Sequence, residues 1–281
     1  MPGINTTGTP NTADINLGRG AIYFAALDPT TQKPLGLRHL GNCTALNLTV
    51  ELDTLPHYSS RAGTRYLDRE VVLTQGVKVG VTLDELNYQN ISLFLAGTAV
   101  AAVTNPSRTS VTDQQISAAA YKGHHYQMLN SSGEHLMDCD GTVVVKSGSG
   151  AVGAAATLTL GTDYTVDRKW GMIFLLSTGA HVEGHKLWFS YATTSTEKAY
   201  DKVDLLTQTK VSGFLRFISI NAANSDKQQV LDLHSVNLKA DGEMPLIGDE
   251  FSTLTFTGAA ERNEIGFPNS PVGRFYTHAD A

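Results

Sequence analysis

The sequence predicts a mainly β protein with one helix, and three observations carry that prediction. Leu46, Leu48, Val50 and Leu52 alternate with Asn47, Thr49 and Glu51, the period-two pattern of an antiparallel strand with one buried face. A single stretch, after residue 81, carries helical spacing. Residues 121–191 break into short strands separated by glycine turns, the texture of a small β-sandwich.

Taken in order, residues 1–18 are rich in Thr, Asn, Gly and Pro and contain too little apolar surface for a core, so they are expected to form an N-terminal arm. Residues 20–27 set Ile22, Phe24 and Ala26 against Tyr23, Ala25 and Leu27. Asp28-Pro29 opens a turn and Pro34 closes it, and Leu35 to Leu40 return as a second strand. The strand at 45–52 is then answered by 71–81, where Val71, Leu73, Gln75, Val77, Val79 and Val81 share a face and Thr74, Gly76, Lys78 and Gly80 share the other. Asp53 to Glu70 is mostly polar and longer than a tight hairpin needs, so it reads as a long loop. It carries Tyr58, Arg61, Arg65, Tyr66 and Arg69, residue types enriched at interfaces.

The helix is expected to begin at Thr82 as N-cap, with Glu85 completing a capping box and Asp84 adding a favourable charge at the positive end of the dipole. Leu83, Leu86, Ile91, Phe94 and Leu95 form its apolar stripe, and Gly97 fits the position just past its end. A lone helix of this kind is expected to plug the open side of a sheet.

The first texture returns after the linker at 193–202, with strands at 213–220, 230–238 and 251–257. The predicted organisation is therefore a domain split into 19–120 and 201–260, an inserted β-rich domain at 121–200, large enough for a marginal core, and a C-terminal arm at 261–281 marked by Pro268, Pro271 and Gly273.

Composition narrows the function. The chain has 281 residues, 17% of them charged, and a formal net charge of −6. A sequence-reading DNA binder carries a basic patch, whereas a mildly acidic protein lets phosphate slide past without adhesion. Cys43 and Cys139 are too few and too distant for a disulfide framework and are expected as free thiols. No run approaches the ~20 apolar residues of a membrane span, and the N-terminus lacks the charged and apolar regions of a signal peptide, so the expected compartment is the cytoplasm of the producing cell.

No nucleophile elbow, phosphate loop or zincin motif occurs. His181 and His185 have zinc-like spacing, but Gly184 places them in a turn, where that spacing has no meaning. His135, Asp138, Cys139 and Asp140 read as a polar loop, and tandem His124-His125 project to opposite sides of a strand. Asp163 and Asp167 flank a strand as turn-forming aspartates do. No enzyme activity, metal or cofactor is expected.

The run GNCTALNLTVELDTLPHYSSRAG with the following REVVLTQGVKVGVTLDELNYQNISLFLAG resembles the N-terminal half of the major tail tube proteins of long-tailed, non-contractile phages, and VSGFLRFISINAANSDKQQVLDLHSVNLKADGEMPLIGDEFSTLTFTGAAE resembles their C-terminal half. The resemblance covers 19–97 and 211–261, with LPHYSSRAG and LIGDEFSTL its best-matching pieces; the middle insert departs from it.

It implies a tail-tube β-sandwich or barrel with one flanking α-helix, six copies to a ring, and rings stacked into a hollow tube that conducts the viral genome. The implied partners are copies of the same chain, the tape-measure, tail terminator and baseplate proteins, and double-stranded DNA in transit without sequence-specific binding; no membrane is involved. The implied location is the virion tail, assembled in the host bacterial cytoplasm. Tyr58, Arg61, Arg65, Tyr66 and Arg69 would lie in the ring-stacking loop; Asn47, Thr49, Glu51, Thr74 and Lys78 would face the lumen, and the insert would face outward. The alternatives are another ring-forming virion component, such as a terminator, baseplate hub or contractile-tail tube, or a carbohydrate-binding adhesin module with Trp170 and Trp188 as stacking platforms.

Overall fold

The computed structural model describes residues 17–60, 63–104, 110–192, 199–220 and 228–277. In chain order these form β1 (Gly20–Ala25), β2 (Arg38–His39), β3 (Cys43–Ser59), β4 (Tyr66–Leu83) and α1 (Tyr88–Phe94). There follow β5 (Thr98–Thr104), β6 (Val111–Ala120), β7 (His125–Gln127), β8 (Thr142–Gly148), β9 (Ala156–Thr157), β10 (Tyr164–Asp167), β11 (Met172–Leu175) and β12 (His185–Ala192). The last are β13 (Ala199–Asp204), β14 (Val211–Ser219), β15 (Gln229–Ala240), β16 (Leu254–Ala260) and β17 (Gly273–Thr277). The protein is mainly β, with one α-helix among the described residues. It divides into two compact units, one drawn from Met1–Ala99 and Val203–Ala281, the other from Val100–Lys202.

The first unit is built on an antiparallel sheet in the order β2-β1-β14-β15-β16-β4-β3. β15 is long enough for two partners along one edge: β17 takes Gln229–Leu233 and β16 takes Val236–Ala240. The apolar pairs Leu231/Leu233 and Val236/Leu238 are out of phase by one residue. A bulge opposite Gly213 and Leu215 absorbs the extra residue and returns all four side chains to one core. On this core face sits α1, whose Phe94 meets Phe256 edge-on at 5.7 Å. The helix plugs the sheet, as its apolar residues predict.

Its boundaries differ from the prediction. Thr82 is not the N-cap: it pairs with both Ala45 and Thr255 inside the sheet, and the ladder outcompetes the capping box. Asn87 caps instead, its side chain accepting the Asn90 N–H at 2.8 Å. Asp84 and Glu85 are absent from the helix and hold Asn42, Glu85 accepting its backbone N–H at 2.9 Å and Asp84 its side-chain amide at 2.5 Å. At the other end Ala96 takes the left-handed conformation, with φ 45°. Gly97 comes one residue later, donating to the Ser92 carbonyl at 2.8 Å. Gly97 answers a different need, because a Cβ there would stand 2.5 Å from the Asp204 carbonyl oxygen.

Three further expectations are corrected. The predicted loop at 53–70 is largely strand: Asp53 to Ser59 belong to β3, Tyr66 to Glu70 belong to β4, and the two pair with each other. The predicted C-terminal arm is folded through residue 277, where β17 completes the β15 edge and buried Asn263 donates to the Gln32 carbonyl at 2.7 Å. Residues 100–120 leave the first domain, because β6 pairs along β12 of the second unit. The N-terminal arm, residues 1–18, lies outside the described residues up to position 16.

The second unit has a four-stranded sheet, β6-β12-β8-β9, and a three-stranded sheet, β10-β11-β7. Val145, Leu187 and Phe189 from the first and Tyr164, Ile173 and Leu175 from the second belong to one buried cluster. β5 and β13, where the chain passes between units, pair with each other.

Candidate functional site

The alternation that starts β3 does not stop where its sheet stops. β16 pairs with β4 only from Lys78 to Leu83, so from Tyr66 to Val77 the only partner of β4 among the described residues is β3. β3 is itself an edge of the sheet. The outer halves of both strands thus project as a two-stranded ribbon with both edges unpaired among the described residues and both faces wet. An isolated two-stranded ribbon is marginal in water, and a long apolar edge is a template for pairing with another chain.

One face of this ribbon continues the core face. Leu46, Val79 and Val81 pack in the core cluster at its base. Further out on the same face, Leu48, Val50 and Leu52 are exposed, Val50 by 66%. The opposite face brings together the residues predicted to line a lumen: Asn47 pairs with Gly80, Thr49 with Lys78, Glu51 with Gly76 and Asp53 with Thr74. Lys78 and Glu51 form an ion pair of 2.7 Å, leaving this strip polar without net positive charge.

Two register shifts then re-aim the outer ribbon. Asp53 faces Thr74 and Thr54 faces Val72, so Leu73 is extra. This moves Val71 to the polar side, opposite Leu55, against the sequence prediction that placed it with Val77. A second shift makes Tyr58 face Leu67 and Ser59 face Tyr66, so Tyr58 and Tyr66 lie on opposite faces. Arg69 stands opposite His57, Arg65 is exposed just before β4, and Arg61 lies outside the described residues. The predicted contact residues therefore ring the end of the ribbon and do not share one side. Sequence analysis missed Leu55, exposed by 59%, and Leu67; apolar residues inside a run set aside as a polar loop were the available signal.

The polar clusters of the second unit are structural. His181 is buried, with Nε2 donating to the Ala120 carbonyl at 2.8 Å and Nδ1 accepting from Ser147 Oγ at 2.7 Å, so neither nitrogen remains for a metal. In the 138–141 loop, the Tyr191 hydroxyl donates to the Asp140 carboxylate at 2.7 Å and accepts the Asp140 N–H at 3.1 Å. Arg168 donates to the Gly141 carbonyl. Among the described residues no group of three potential ligands is placed to hold a metal, and no helix is long and apolar enough to cross a membrane. Trp188 is buried, which removes it as a sugar platform, while Trp170 is exposed under the Lys169 ammonium. Cys43 is half-buried and Cys139 buried, and no disulfide joins them. Burial, reinforced by Asp84 and Glu85, pushes the Cys43 thiol up to about 11, leaving it protonated and unreactive.

Asp163 joins the turn after Thr159 to the segment at Ala180. It accepts the N–H of Ala180 and that of Thr159, each at 2.7 Å, and these bonds hold its carboxyl below the usual 3.8. A lowered carboxyl stabilises the fold above its unfolded value, and that contribution is lost as pH falls below 3.8 and through the lowered value. Both tryptophans lie in this unit, so their fluorescence follows its unfolding. The urea midpoint read this way is expected to fall between about pH 5 and pH 2.5. Asp163→Asn is expected to lower it at neutral pH and flatten the acid limb; parallel curves for the two proteins would contradict this account.

The family described as "Protein of unknown function UCP028589" matches residues 15–278. No curated protein matches the chain.

Proposed function

The chain belongs to the family of protein of unknown function UCP028589, and we propose that it is a structural, non-catalytic subunit of a phage tail tube, of the non-contractile long-tailed kind. Copies join into rings, and rings stack into a hollow tube that conducts the viral genome. The observation that carries this reading is the projecting β3–β4 ribbon, open along both edges among the described residues and apolar along the face of Leu48, Val50 and Leu52. Strand edges of this length are satisfied by joining equivalent strands of neighbouring copies, and closure of such a sheet into a barrel removes the edges altogether. Contacts between different surfaces of identical copies propagate as a ring or a filament.

The two faces suit the two environments of a tube wall. Leu48, Val50, Leu52 and Val77 supply surface to bury against a neighbour, at about 1 kcal/mol or more for each side chain removed from water. Asn47, Thr49, Glu51, Thr74 and Lys78 would line the lumen. The cation on that strip is matched by Glu51 at 2.7 Å, so phosphates in transit meet hydroxyls and amides with no excess positive charge to hold them. The other partners on this reading are the tape-measure, terminator and baseplate proteins of the tail.

Negative-stain microscopy of the purified full-length chain over a range of concentrations tests the proposal. Annular particles and unsheathed tubes with a stain-filled centre are expected. A monomer at every concentration and salt condition would overturn the reading.

A further inference from the structure

The face of the first unit turned away from its core carries a hollow of about 450 Å³. Phe214, Arg216, Asp232 and His234 alternate with the core residues Leu215, Leu231 and Leu233, so they point to this second face. His234 lies against Phe267 at 3.8 Å between ring centres, with Phe214 at 6.0 Å. Leu37 and Pro34 add an apolar wall. The charges around the hollow are Lys33, Arg216 and Arg274 against Asp232 alone. Arg216 is already committed to Asp232 through two bonds of 2.7 Å, which leaves Lys33 and Arg274, both exposed, as the cationic rim.

A surface of complementary character lies elsewhere on the same unit. The segment between β15 and β16, residues 241–253, has no regular structure. It is folded back by a hydrogen bond from the Ser252 hydroxyl to the Pro245 carbonyl. It holds Leu246, Ile247 and Phe251 out in water, exposed by 78%, 97% and 97%, with Asp249 and Glu250 between them. Three apolar side chains displayed this fully on one short loop, beside two carboxylates, are the mirror of an aromatic hollow with two cations at its rim.

The loop cannot fill the hollow of its own chain. β15 runs from Asp232 and His234 in the hollow to Ala240 at the root of the loop, about 20–26 Å at ~3.3 Å per residue. The loop is tied at its base, where the Asp241 N–H donates to the Thr255 carbonyl at 2.8 Å. Phe251, three residues before β16 begins at Leu254, therefore reaches at most about 11 Å from the root, short of the hollow.

We propose that the 241–253 loop of one copy docks into the Lys33/Arg274-rimmed aromatic hollow of a second copy. Ile247 and Phe251 enter between Phe214, Phe267 and Leu37, while Asp249 and Glu250 meet Lys33 and Arg274. Donor and acceptor are different surfaces at opposite ends of one strand, so when the contact is made one way it is head-to-tail, and every docked copy presents a fresh loop and a fresh hollow. This inference rests on the reading that copies self-associate, and it names a contact separate from the ribbon.

Charge reversal and its repair in the full-length chain test it. Asp249→Lys/Glu250→Lys and Lys33→Glu/Arg274→Glu are each expected to raise the concentration needed for assembly about tenfold or more. All four changes in one chain are expected to restore assembly to within about threefold of the unaltered protein. Ile247→Ser/Phe251→Ser, which keeps every charge, should show the same loss by sedimentation with an unchanged circular dichroism spectrum. If the unaltered chain assembles and both reversal variants assemble equally well, the docking contact is wrong while the tail-tube reading stands. The contact is equally wrong if the chain carrying all four changes assembles no better than the two reversals. An unaltered chain that never assembles sinks both.

Discussion

A chain lacking residues 57–66 is expected to fold as the intact protein does and to lose the ability to lengthen into tubes. The fold is spared for two reasons. No described side chain from 57–66 belongs to the core cluster of the first unit. The register also survives the cut: Pro56 still faces Glu70, and Leu67, Asp68 and Arg69 become a three-residue hairpin connection, a common loop length. Loss of exposed positions alone changes stability by less than about 1 kcal/mol. Assembly is not spared, because the deletion removes Tyr58 and Tyr66 on opposite faces of the ribbon and the outermost stretch of both edges, which has no further strand partner among the described residues. Soluble subunits or single rings with an unshifted thermal midpoint are the expected products. Normal tubes from this variant would place the inter-ring contact elsewhere.

The ribbon also shows what sequence periodicity reads well and what it misses. The alternation over 45–52 and 77–81 was legible because one face stays apolar from its core base at Leu46, Val79 and Val81 out to the exposed Leu48, Val50 and Leu52, while the other face stays polar. Beyond residue 53 the register shifts put apolar residues such as Leu55 and Val71 on the polar face, so the contrast between odd and even positions disappears, and polar composition imitates a loop although the backbone stays paired. The bulge at Leu73 could not be read from one strand, since it exists only relative to β3. Thr82 and Glu85 matched a real capping pattern, yet Thr82 was already committed to two neighbouring strands, and tertiary pairing prevailed over a local signal. The boundary of the second unit was misplaced for a similar reason, because β6 is recruited by β12 from far along the chain. Glycine-punctuated strands at 142–191 were readable because their turns are short and local. The aromatic hollow was invisible in advance: Phe214, Asp232, Phe267 and Arg274 come from four separate segments, and no spacing rule links them.

Asp232→Ala is expected to destabilise the first unit by about 3 kcal/mol, the low end of what removing one partner from a buried ion pair costs. The Asp232 side chain is 5% exposed and takes both Arg216 hydrogen bonds, Nε to one carboxylate oxygen and a terminal nitrogen to the other, each 2.7 Å. Their shared geometry makes this a bidentate, charge-assisted pair, and the Asp232 carboxylate further raises the Arg216 pKa. Without the carboxylate, Arg216 keeps a desolvated charge beside Phe214, whose ring lies 5.5 Å from its guanidinium carbon. The loss stays near the low end because the Arg216 side chain is 34% exposed and regains some water. Arg216→Leu/Asp232→Leu should recover most of the stability, since an apolar pair leaves no charge stranded. The two units allow a clean readout. Neither tryptophan lies in the first unit, so Asp232→Ala should shift the urea transition followed by far-ultraviolet circular dichroism and leave the fluorescence transition in place. An equal shift of both signals would mean that the units unfold as one, and an unshifted dichroism transition would mean that the Arg216–Asp232 pair contributes nothing to holding β14 on β15.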